Sequence, residues 1–131
     1  MNEKARLDTS VVEEFVGKAH GDLDRDRQLL AQQPALINAA WDWGNGDWET
    51  GLGAAAHMGR RDIAAFLIGN GARLDIFAAA MLGQLEVVRA IVEANPVSAS
   101  APGPHGISLL RHALAGGEPA KPVAEFLQFL V

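Results

Sequence analysis

Four histidines, His20, His57, His105 and His112, and 16 carboxylates are the groups in this chain able to ligate a metal or move a proton near neutral pH. Their spacing gives them no common task. No HExxH segment occurs, and no two histidines stand four apart, the separation that sets two imidazoles on one helix face against one ion. No metal and no cofactor are therefore expected. His20 and His57 each stand just before a turn glycine, where an exposed imidazole at a helix end suits the helix dipole. Acid–base work by His57 would need Asp42 or Glu49 beside it, which only tertiary structure could arrange. No serine has a histidine and a carboxylate in a nucleophile motif. With no cysteine, disulfides, thiolate nucleophiles and cysteine-ligated zinc are excluded.

The other concentrated feature is WDWGNGDWET at 41–50, which contains all three tryptophans. Gly44-Asn45-Gly46 lacks both the third glycine and the lysine of a phosphate-cradling loop, and Trp43, Gly44 and Trp48 stand where a calcium loop needs oxygen ligands. The stretch reads as a hairpin instead, because Asn45-Gly46 suits a two-residue turn with positive φ at both central positions. Pairing across that turn sets Gly44 opposite Asp47, Trp43 opposite Trp48, Asp42 opposite Glu49 and Trp41 opposite Thr50. Alternation then gathers Trp41, Trp43 and Trp48 on one side and the acids on the other. Opposed Asp42 and Glu49 repel unless a cation, a basic partner or a nearby arginine neutralises them. The indoles have two uses, each compatible with the other. They cap the neighbouring helices, burying on the order of 200 Å² apiece, or they anchor a partner.

The elements that carry these residues repeat. Gly21-Asp22-Leu23-Asp24 aligns with Gly83-Gln84-Leu85-Glu86, and without a gap Arg27 falls on Arg89, Leu29-Leu30 on Ile91-Val92, Pro34 on Pro96 and Phe15 on Phe77. Between them lies TGLGAAAHMGRRDIAAFLIGNGARLD from Thr50, and a looser copy, GISLLRHALAGG followed by VAEFLQFL, closes the chain. Each copy reads as a short alanine-rich helix, a glycine and a second helix with apolar residues at i, i+3 and i+4, leaving one face that only a neighbouring copy can cover. Gly21, Gly59, Gly83 and Gly117 mark the turns, where positive φ is expected. An ordinary antiparallel bundle is the alternative.

The pattern resembles the ankyrin repeat, whose threonine-proline-leucine-histidine opening becomes Thr50-Gly51-Leu52-Gly53 here. The resemblance implies an all-α solenoid of stacked helix-turn-helix units with one enlarged β-hairpin finger, and repeats at about 11–48, 49–74, 75–106 and 107–131. Two departures stand out. The first finger is about four residues longer than usual, and the third copy begins at Asp75 directly after Leu74, with no room for a finger. The resemblance further implies a non-enzymatic protein-interaction module that meets its partner across the fingertips and the inner helices. Its candidate contacts are His20, Trp41, Asp42, Trp43, Asp47, Trp48, Glu49, His57 and Met58. The finger acids favour a basic partner. Sugar or aromatic binding on the tryptophan plate, and an enzyme using His57 with Asp42 or Glu49, are the other classes to weigh.

The totals agree with one small domain. The chain has 131 residues, 49% of them hydrophobic, and no apolar run approaches the roughly 20 needed to cross a bilayer. MNEKARLDTS has no secretory character, so a cytoplasmic location is expected. A net charge of −5, with Arg60-Arg61 followed at once by Asp62, argues against nucleic acid. At the C-terminus Phe129 and Val131 either dock back on the helices or meet a second copy, giving a monomer or a weak dimer.

Overall fold

The computed structural model describes residues 4–130. Its elements run α1 (Thr9–Lys18), α2 (Leu23–Gln32), β1 (Ala40–Asp42), β2 (Trp48–Thr50), α3 (Gly51–His57), α4 (Arg61–Gly69), α5 (Ile76–Leu82), α6 (Leu85–Ala94), α7 (Leu109–Ala115) and α8 (Lys121–Gln128). Five helices start on a side chain that accepts a backbone N–H of the first turn: Asp8 for α1, Asp22 for α2, Thr50 for α3, Asp75 for α5 and Ser108 for α7. Among the described residues the fold is therefore mostly helical, with one two-stranded sheet.

Each odd-numbered helix packs on the next, α1 on α3, α3 on α5 and α5 on α7, while each even-numbered helix returns beside its predecessor. The small side chains of Ala54–Ala56 and Ala78–Ala80, all fully buried, let α3 and α5 approach closely. Phe15, Leu52, Ile63, Leu67 and Met81 fill the core of the first half, and Val88, Leu109, Val123 and Leu127 that of the second. Helix α7 also reaches back to α3. Gly59 and Gly83 adopt φ of 66° and 79°, as their place at the turns requires. Gly21 does not share this conformation, so the positive φ expected there is a misreading. A run of ordinary turn hydrogen bonds, Gly21 N–H to Lys18 O among them, closes α1 instead.

Adjacent arginines tie the pairs together. Arg60 donates to the Gly21 carbonyl at 3.0 Å, and Arg61 donates to Leu82 O at 3.2 Å, Met81 O at 3.0 Å and Gly116 O at 3.3 Å. Between α4 and α5 no strand forms, and the Asn38 side chain instead bridges the preceding turn to that connection, accepting from Arg73 N at 2.8 Å.

The hairpin forms, but in a register one residue away from that expected. Ala40 pairs with Thr50, Trp41 with Glu49 and Asp42 with Trp48. The turn contains three residues, Gly44, Asn45 and Gly46, with φ of 134°, 55° and 81°. The Asp42 carboxylate selects it by accepting from Gly44 N at 2.9 Å and Gly46 N at 3.1 Å. A one-residue slip moves each side chain to the other face. Trp41, Trp43, Asp47 and Glu49 thus share the side towards the helices, and Asp42 and Trp48 the other. No plate of three indoles exists, and Asp42 never faces Glu49.

Two further placements bear on the expectations. Phe129 stays 88% exposed, so it does not dock back, and Val131 lies outside the described residues. No helix among the described residues is long and apolar enough to cross a membrane.

Asp26 on α2 is fully buried with both carboxylate oxygens unpartnered. Burial, and secondarily the charges of Asp22 and Glu14, push its pKa from 3.8 to about 7. A raised acid is protonated in the folded chain while the unfolded chain ionises, so stability falls as pH rises from about 4 to about 7. Asp26→Asn should flatten that slope and gain on the order of 2 kcal/mol at pH 8, with little change at pH 4, in urea melts. An unaltered slope would refute the assignment.

Candidate functional site

Glu49, the central residue of β2, is 1% exposed, and four ring groups from separate elements surround its carboxylate. His20 follows the last turn of α1, and its Nε2 lies 3.2 Å from Glu49 Oε1. His57 closes α3 with its Nε2 3.0 Å from Glu49 Oε2. His105, in the loop between α6 and α7, brings its Nε2 to 3.3 Å from the same oxygen. The Trp43 indole N–H donates to Oε1 at 2.9 Å. The imidazole centroids stand 4.9 Å (His20–His57), 5.2 Å (His57–His105) and 6.2 Å (His20–His105) apart.

The far sides of two rings are held as well. His20 Nδ1–H donates to Gly17 O at 2.9 Å, with Val16 O at 3.1 Å. Asp47 grips His105 twice, accepting its backbone N–H at 2.7 Å and its Nδ1–H at 2.7 Å. His105 adopts φ 60°, a left-handed conformation costly for a residue with a β-carbon, so the Asp47 grip holds the backbone where the ring can point inward.

Burial by itself would raise the Glu49 pKa; the His20 and His57 rings against it and the Trp43 indole N–H outweigh that and hold the carboxylate near 2. His20 is raised, chiefly by the Glu49 carboxylate beside its Nε2, with burial opposing. Glu49 is therefore an anion at neutral pH, enclosed by imidazoles.

Of the residues singled out in the sequence, His20, Trp43, Asp47, Glu49 and His57 meet here. Trp41 packs on the core. Asp42 is spent on the turn amides. Trp48, 60% exposed, faces away on the opposite side of the sheet, and Met58, 52% exposed, stands just past α3. The sequence reading missed His105. Its only local signal is the turn-forming Pro102-Gly103-Pro104-His105-Gly106 context, which says nothing of where the loop docks. His112 is elsewhere, buried against Phe77 with Nδ1–H on Ser108 O at 2.7 Å, and burial lowers its pKa.

The donor atoms of His20, Glu49, His57 and His105 lie within 4.8 Å of one another, close enough to hold a metal ion. A cleft of about 660 Å³ opens beside the cluster, lined by His57, Gly106, Ile107, Ser108, Arg111, Leu114 and Ala115. No protein-family model matches the chain, and no curated protein is significantly similar to it.

Proposed function

We propose that this chain is a non-enzymatic, ankyrin-like binding module that captures a protein segment in the cleft beside His57. The cleft carries the reading. It measures about 660 Å³, Ile107 and Leu114 give it apolar walls, and Arg111 is the single charged side chain in its lining other than an ionisable histidine. Among the described residues the Arg111 guanidinium has no hydrogen-bond or ion-pair partner, so it is free to receive a carboxylate. Leu114 is 56% exposed at the rim, an apolar contact of the kind that partners cover.

The partner chemistry differs from the basic one expected from the finger. Asp42 is taken by turn amides, Asp47 by His105 and Glu49 by the imidazoles, so the hairpin offers little free negative charge. An acidic segment with an adjacent apolar side chain suits Arg111 and Leu114 better.

Selection of random peptides on the immobilised full chain tests this. Enrichment of Asp or Glu beside an apolar residue is expected, with affinity falling at least about tenfold in Arg111→Glu and in Leu114→Asp. Enrichment of basic peptides, or binding indifferent to both substitutions, would overturn it.

A further inference from the structure

We propose that His20, Glu49, His57 and His105 form a binding site for one divalent transition-metal ion of the zinc class, holding the hairpin, α1, α3 and the 103–107 loop together. This goes beyond the partner-binding reading and does not depend on it.

The first ground is geometry. Glu49 oxygens stand 3.2, 3.0 and 3.3 Å from the three Nε2 atoms, and all four donors lie within 4.8 Å of one another. Zinc bonds to histidine nitrogen and carboxylate oxygen are about 2.0–2.2 Å long, so neighbouring ligands of a tetrahedral ion lie about 3.3–3.5 Å apart. The gaps around Glu49 are near that span.

The second ground is the state of the ring nitrogens. A carbonyl oxygen can only accept, so the Gly17 carbonyl fixes the proton of His20 on Nδ1, and the Asp47 carboxylate does the same for His105. In the neutral rings each Nε2 then presents a lone pair to the centre. Backing of this kind, a carbonyl or carboxylate behind the far nitrogen, orients histidine ligands in metal sites.

The third ground is an unpartnered pair. His57 Nε2 and Glu49 Oε2 are both buried and approach to 3.0 Å, yet neither has an aligned hydrogen bond. The Glu49 side chain is completely enclosed. A buried nitrogen and a buried carboxylate oxygen this close without an aligned hydrogen bond are costly, and a cation bound by both removes the cost. Three imidazoles and one carboxylate suit zinc, cobalt or nickel; calcium and magnesium prefer all-oxygen shells.

The test uses the tag-free full chain stripped with EDTA. Cobalt(II) titration should give one ion per chain and the intense visible absorption of a tetrahedral nitrogen–oxygen shell, with zinc displacing it and magnesium leaving it unchanged. His57→Ala and His105→Asn should each weaken binding by on the order of 100-fold. Asparagine tolerates the left-handed backbone at position 105, so this variant keeps the loop while losing the donor. Far-ultraviolet CD and a zinc-dependent rise in melting temperature, present in the wild type and lost in His105→Asn, separate lost ligation from lost folding. Absence of saturable one-to-one binding in the folded wild type, or affinity unaltered in both variants, would overturn the proposal.

Discussion

Gly83→Ala is expected to destabilise the chain by about 3 kcal/mol or more, measured by urea unfolding followed by helical CD. Two costs combine. Residue 83 has φ 79°, where an L side chain loses roughly 1 kcal/mol. A β-carbon there would also stand 2.3 Å from the Pro119 carbonyl oxygen and 3.0 Å from its carbon, and these backbone atoms cannot swing aside. Relief would require parting α5 from the turn that leads into α8, opening the second half of the core. Gly59→Ala should behave alike, since its β-carbon would meet Ala115 O at 2.4 Å. Gly69→Ala supplies the contrast. It lies in α4 with nothing within 4 Å, so alanine there should be neutral or stabilising by up to about 1 kcal/mol. Equal effects at positions 69 and 83 would contradict the described approach of α5 to Pro119.

The second large effect is expected at Phe15, which is fully buried between α1 and α3. Phe15→Ala should lose about 3–5 kcal/mol, the sum of lost burial and the cavity left behind. Its ring fits against Gly51, where an added β-carbon would meet Phe15 Cε2 at 2.9 Å. Gly51→Ala should therefore destabilise the wild type yet cost less in a Phe15→Leu background, whose smaller side chain leaves room. A double-mutant cycle measures that coupling, with a non-additive value of about 1 kcal/mol expected. Strict additivity would show that the ring does not set the spacing between α1 and α3.

The helices were legible in the sequence because their determinants are local. Thr50, Asp75 and Ser108 each cap the helix that follows, and Ala54–Ala56 and Ala78–Ala80 lie inside the helices their composition predicts. The ends of α1 and α3, and so the places of His20 and His57, followed from the same signals. The hairpin was legible as an element but not in register. Asn45-Gly46 is a strong local signal, yet the Asp42 carboxylate bonds two loop amides and draws Gly44 into the turn. That single slip hid the site, because it decides whether Glu49 faces water or the imidazoles. His105 was beyond reach for another reason. Its position depends on tertiary packing that brings its loop to the hairpin, and no periodicity encodes such a meeting.

The double grip of Asp47 on His105 joins positions 58 apart in the chain. Closing so long a circuit carries an entropic penalty that only the intervening packing can offset. The imidazole cluster should therefore complete late in folding, after α3 to α6 have found their places. It would register a fault at any intervening junction, since a loosened helix pair between the hairpin and the distal loop would withdraw one of its four members without touching the others.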